Sequence, residues 1–227
     1  MTERRAKGLY DPAYEKDSCG FGLIANLDDM PSHWVVQTAI SALARLTHRG
    51  AVAADGKTGD GCGLLIKFPE SFMRTVGEEL GFMLSERFAA GTVFLNQDEA
   101  RADKARKRIT AAIVEIGLDV AGWRVVPTDP SVCGDEALRT LPRIEQVFVN
   151  APDGMPRGRF NRRLFLARRR AEKHLGETDT YIASLSSATI SYKGMIMPAA
   201  LPEFYPDLQD ERLESSVCLF HQRFSTN

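Results

Sequence analysis

Two short stretches of the 227-residue chain hold the side chains best suited to chemistry. In the first, Lys16-Asp17-Ser18-Cys19-Gly20-Phe21-Gly22-Leu23-Ile24-Ala25, one cysteine heads an apolar run whose glycines leave no side chain near the sulfur. Two readings are open at this point. Cys19 is a small buried residue opening a core strand, as free cysteines often are, or it is a nucleophile that becomes the first residue once the charged leader, residues 1–18, is removed. The second stretch, Leu219 to Asn227, runs off a strand into Arg223 and the small polar residues Ser225, Thr226 and Asn227. Arginine grips a carboxylate bidentately and stays charged, which suits an acidic or amino-acid ligand, although a lone arginine also serves as a surface ion-pair residue.

Other candidates carry less. Gly56 to Gly63 is glycine-dense, but the Walker spacing is absent and the stretch leads into Leu64-Leu65-Ile66, so it reads as a tight turn at a sheet edge. The block from Arg157 to Lys173 holds seven arginines and one lysine against the single acid Glu172. It has no interleaved aromatic platforms, so a solvated helix face or an interdomain contact is preferred to nucleic acid. The histidines are scattered, no cysteine–histidine spacing suits zinc, and no Gly-x-Ser-x-Gly elbow marks a serine nucleophile.

The elements that must position these groups follow from periodicity. Residues 19–25 read as a buried strand and Asn26–Pro31 as the turn after it. Ser32 caps a helix with Val36, Ile40, Leu43 and Leu46 on one face, His48 and Arg49 in its last turn and Gly50 beyond. Strands are expected at 91–95, 123–126, 144–150 and 217–220. A helix runs from Asp98 to Ile116 and closes at Gly117, and another spans Arg157 to His174. Tyr181–Leu185 and Thr189–Lys193 pair naturally as a hairpin across Ser186-Ser187-Ala188. Such an order suits antiparallel sheets layered with helices in one domain, not a doubly wound sheet.

Composition sets the outer bounds. A hydrophobic content of 44% with 26% charged residues suits one globular core, and a formal net charge of −1 offers no global attraction to nucleic acid or anionic membrane. No apolar run is long enough for a membrane span, and no export signal is visible. The four cysteines, Cys19, Cys62, Cys133 and Cys218, read as reduced thiols, so a cytoplasmic location is expected.

Seven short motifs then occur in one order: Cys19-Gly20-Phe21-Gly22, Leu46 to Ala51, Thr58-Gly59-Asp60-Gly61, Gly122-Trp123-Arg124, Ser184 to Ser187 with Tyr192-Lys193-Gly194, Phe204 to Leu208, and His221 to Asn227. Together they resemble the N-terminal class II glutamine amidotransferase domain of glutamate synthase large subunits. The resemblance implies an α+β fold of the N-terminal-nucleophile hydrolase kind, a four-layer αββα sandwich of antiparallel sheets. It implies a propeptide at 1–18 and an amidotransferase domain over 19–227, incomplete at its C-terminus. Cys19 is then the nucleophile and its freed α-amine the base. Arg223 holds the α-carboxylate of glutamine with Thr226 beside it, and Arg49 fixes the loop over Cys19. No metal is expected in these residues. FMN, an iron–sulfur cluster and an electron-donating partner (a small subunit or ferredoxin) are implied for the full-length parent, which aminates 2-oxoglutarate. The family's His-Asn-Gly-Glu oxyanion segment would follow Asn227, so the 227-residue chain alone is expected to be inactive as a glutaminase. The alternatives are an amidotransferase serving another acceptor, such as a phosphosugar, and a non-catalytic basic module acting through Arg157–Lys173.

Overall fold

The computed structural model describes residues 20–175 and 179–223. In chain order its elements are β1 (Gly20–Ala25), α1 (His33–Ala44), β2 (Thr58–Lys67), α2 (Glu70–Glu79), β3 (Phe88–Leu95), α3 (Glu99–Glu115), β4 (Asp119–Val125), α4 (Asp135–Arg139), β5 (Arg143–Asn150), α5 (Arg157–Leu175), β6 (Tyr181–Ile182), β7 (Thr189–Ile196), α6 (Leu201–Phe204) and β8 (Val217–Gln222). The strands form two antiparallel four-stranded sheets, ordered β1-β8-β2-β7 and β4-β5-β3-β6. The expected α+β class, antiparallel sheets with helices, is therefore present.

Two cores hold these layers. The first joins α1 (Val36, Ile40, Leu43), α2 (Met73), the first sheet (Leu64, Ile66, Tyr192, Phe220) and one face of the second sheet (Phe88, Phe148). The second lies between the opposite face of that sheet (Val93, Val147, Val149) and helices α3 and α5, through Ile109, Ile113, Phe160 and Leu164. Strand β3 is buried on both faces, which is why its sequence is a continuous apolar run and not an alternation.

Local chemistry explains most element ends. The Ser32 hydroxyl accepts a hydrogen bond from Val35 N, and the Asp98 carboxylate accepts from Arg101 N, each capping its helix. Gly117 closes α3 at φ = 75°, a backbone region that favours glycine.

Several expectations are corrected. Strand β1 is not fully buried: it is an edge strand, and while Gly20 is buried, Phe21 is 76% and Leu23 60% exposed on the face no described element covers. The glycine-dense stretch is no turn at a sheet edge. Thr58 to Gly63 lies in β2, an interior strand paired on both sides, and a register shift between Thr58 and Cys62 is accommodated at Gly61, where φ is 105°. Helix α1 stops at Ala44, and His48 and Arg49 belong to a separate 3₁₀ turn, Thr47–Arg49. Gly50 is extended there (φ = −118°), so it is no left-handed helix cap.

The hairpin across 186–188 does not form. Strand β6 pairs with β3 in one sheet and β7 with β2 in the other, so the chain crosses between sheets. Side chains stitch the crossing. Ser184 Oγ accepts from Thr92 N (3.3 Å) and Ser191 N (3.4 Å), and Asn161 Oδ1 accepts from both Ser187 N and Ser187 Oγ. The basic face of α5 is partly paired: Arg168 and Arg169 reach Glu172, and Arg170 reaches Glu115 on α3. Among the described residues, no helix is long and apolar enough to cross a membrane.

Candidate active site

The start of β1, the turn after α1, the start of β2 and the end of β8 meet at one corner of the first sheet. Gly20 pairs with Gln222, and Gln222 pairs on its other side with Cys62. The Arg49 side chain lies over Gly20, whose β-carbon, if it had one, would sit 3.1 Å from Arg49 Cγ. One residue beyond the β1–β8 ladder, Arg223 N donates to Gly61 O at 2.7 Å. Its φ of 74° is unusual for a residue with a side chain, a backbone strain that persists only when the surroundings impose it.

Asp60 ties the corner together. Its carboxylate accepts from Ala51 N at 2.9 Å and lies 3.8 Å from Arg223 Nε, so one side chain links the 47–51 turn to the end of β8. Main-chain bridging adds to this: Asp60 N donates to Ala51 O, and Val52 pairs with Gly59. The loop holding Arg49 and the strand holding Arg223 are thus fixed relative to Gly20.

Of the four residues singled out from the sequence, Arg49 and Arg223 meet at this corner. Cys19 and Thr226 lie outside the described residues, as does the leader. Two residues at the corner were not singled out, Asp60 and Gln222. Asp60 lies in the Thr58-Gly59-Asp60-Gly61 motif, where nothing in the local spacing marks it as a link to the 47–51 turn. Gln222 carried a signal of its own: it continues the Cys218, Phe220 alternation of buried positions in β8, so a polar side chain is placed on a buried face.

The described cysteines are unsuited to nucleophilic work. Burial pushes the Cys62 thiol up to about 12 and that of Cys218 to about 11, and Cys133 is raised by burial and then by Asp129. They stay protonated at neutral pH, where the thiol is a poor nucleophile. Iodoacetamide at pH 7.5 should therefore leave Cys62 and Cys218 unmodified in the folded protein and label both in denaturant; peptide mass mapping reads the difference. Labelling of either in the native state would contradict the packing.

Among the described residues, no group of three or more histidine, cysteine, aspartate or glutamate side chains could hold a metal ion.

A glycine-headed strand, an arginine turn laid over it and a second arginine at the adjoining strand end make up this corner. The chain belongs to the class II glutamine amidotransferases, whose family pattern matches residues 19–227. Within that family it is 41% identical over 227 residues to the glutamate synthase [NADPH] large chain of Bacillus subtilis, and 42% identical over 223 residues to that of Azospirillum brasilense. It is also 37% identical over 231 residues to the ferredoxin-dependent, chloroplastic glutamate synthase of Spinacia oleracea. These alignments take in 98%, 96% and 99% of the chain but only 15%, 15% and 14% of the relatives, so the chain spans about one-seventh of their length.

Proposed function

We propose that this chain is the glutamine-hydrolysing part of a glutamate synthase large subunit. The observation that carries the reading is the match along nearly the whole chain to glutamate synthases, at 41% and 42% identity to the two bacterial large chains. It is supported by the way Gly20, Arg49, Asp60 and Arg223 converge.

Residues 1–18 are removed as a propeptide, leaving Cys19 as the first residue. Its sulfur attacks the side-chain amide carbon of glutamine. The thiol proton moves to the α-amine and from there to the leaving nitrogen, and ammonia departs. Water then hydrolyses the γ-glutamyl thioester, giving glutamate and the free thiol. Arg223 pairs with the α-carboxylate of the substrate with Thr226 beside it, while Arg49 holds the loop over the reacting sulfur. The ammonia serves the amination of 2-oxoglutarate elsewhere in the longer protein. FMN and an iron–sulfur cluster supply the redox chemistry there, with electrons from a small subunit or ferredoxin.

Glutamate release from glutamine by the full-length protein tests the reading, with Arg223→Lys as the discriminating variant. Lysine keeps the charge but loses the planar two-point grip. The Michaelis constant for glutamine should therefore rise roughly tenfold to a hundredfold while kcat changes less. An unchanged Michaelis constant would remove Arg223 from the carboxylate site.

A further inference from the structure

Gln222 is the last residue of β8, and its side chain shares a face with its two ladder partners, Gly20 and Cys62. It is only 1% exposed, yet both Oε1 and Nε2 have no hydrogen-bond partner among the described residues. A buried primary amide normally satisfies both ends, so an orphaned one signals a partner that arrives in another state of the molecule. The amide packs close to the 47–51 turn: a β-carbon on Gly50 would lie 2.1 Å from Gln222 Nε2, so glycine at 50 leaves room for this side chain.

Residue 19 is joined through its carbonyl to Gly20, the strand partner of Gln222, and on the proposed processing it gains a free α-amine. An amine acting as a base has one lone pair, and its direction is set by where its N–H bonds point. A free amine that rotates at will is a poor base for a thiol beside it. We infer that Gln222 is a positioning residue for that amine: its side-chain carbonyl accepts a hydrogen bond from the amine of Cys19 and turns the lone pair toward the sulfur. This rests on the reading of Cys19 as an N-terminal nucleophile.

The charged and titratable groups around the corner are Arg49 in the turn after α1, Asp60 on β2, and His221 and Arg223 on either side of Gln222, with Lys193 on β7 across Gly63 from His221. Arg49 and Arg223 disfavour an ammonium here and Asp60 favours one. His221 is held below its usual range by burial and then by Lys193, so it stays neutral above pH 7 and adds no titration to the window of the amine.

Two near-isosteric replacements give opposite signs. Gln222→Leu removes the acceptor that stabilises the ammonium form, so the acid limb of the kcat/KM–pH profile for glutamine hydrolysis moves to lower pH. The misdirected lone pair should lower kcat about tenfold or more, with the Michaelis constant within about twofold. Gln222→Glu sets a carboxylate against the amine, which favours the ammonium, so the acid limb moves up by about one unit or more. The full-length, processed enzyme is used, and the rate of Cys19 alkylation against pH reads the same shift without substrate. Opposite displacement of the two limbs supports the assignment. Acid limbs unmoved in both variants, or a change confined to the Michaelis constant, overturn it. If Cys19→Ala leaves glutamine hydrolysis intact, the nucleophile reading itself is wrong. If Cys19→Ala abolishes hydrolysis while the Gln222 limbs stay put, only this inference falls.

Discussion

Cys19→Ala in the full-length enzyme is expected to abolish glutamine-dependent turnover, by on the order of 10⁴-fold or more. Amination of 2-oxoglutarate supplied with ammonium salt should survive, because it bypasses the hydrolytic site. The pairing of a lost with a retained activity separates loss of the nucleophile from loss of the fold. The expectation follows from where the thiol proton goes. A free thiol titrates near ~8.5 and an α-amine near ~7.7–8.0, so the amine takes the proton close to neutral pH, and a peptide nitrogen cannot. Retention of residues 1–18 should therefore silence hydrolysis as completely as the alanine does. Intact mass of the active enzyme should show those eighteen residues missing. An active enzyme whose Cys19 nitrogen is still in a peptide bond would refute the mechanism. Cys62, Cys133 and Cys218 offer no substitute, since burial holds each of them in the thiol form.

How much of this was legible in the sequence differs element by element. Helices α3 and α5 are long, one-sided and flanked by clear signals, and the sequence-based bounds fall within a residue or so of those observed. Helix α2 was missed. It has only ten residues, follows β2 closely and begins after Pro69 with no side-chain cap; its signals were Glu70 in the first turn and Phe72, Met73 and Val76 at helical spacing. The false hairpin has a different cause. Period-two alternation says that a segment is a strand, but not which strand it pairs with, and β6 and β7 find partners in separate sheets. At the site, Arg223 is marked by its own chemistry as a carboxylate ligand, whereas the role of Arg49 comes from the resemblance, because an arginine after a helix looks like a surface residue until the fold brings it to Gly20. Asp60 and Gln222 act by joining segments distant in sequence, which spacing along one segment does not reveal. The motifs themselves prove to be of two kinds. Those at Gly20, Arg49, Asp60 and Arg223 build the corner. Gly122-Trp123-Arg124, Tyr192-Lys193-Gly194 and Phe204 to Leu208 instead meet around a buried ion pair in the shared core.

That ion pair carries the largest stability effect expected in the molecule. Arg124 on β4 is 9% exposed and Asp207, in the 3₁₀ turn Pro206–Gln209, is 5% exposed. The guanidinium donates to both carboxylate oxygens, at 2.6 and 2.9 Å, and also to Gln146 Oε1 on β5 at 3.0 Å. Tyr192 on β7 donates its hydroxyl to the same carboxylate at 3.1 Å; burial, with the Asp207 charge second, raises that phenol well above its usual range, so it remains a donor. One cluster thus connects the second sheet, the first sheet and the turn before β8. Asp207→Leu leaves the guanidinium buried without its counter-charge, and should cost roughly 3–5 kcal/mol, seen as a fall in the denaturant midpoint of the folded protein. Arg124→Met alone strands the carboxylate and should cost a similar amount. The double variant Arg124→Met/Asp207→Leu replaces both charges with apolar groups of comparable bulk, and should recover most of the loss, because the attraction between two buried ions is largely offset by their desolvation. Losses that simply add in the double variant would mean that the two side chains act independently, and that the sheets are held together by apolar packing alone. A recovery confined to stability, with glutamine hydrolysis unchanged throughout, would fit the distinction between motifs that hold the sheets in register and motifs that do the chemistry.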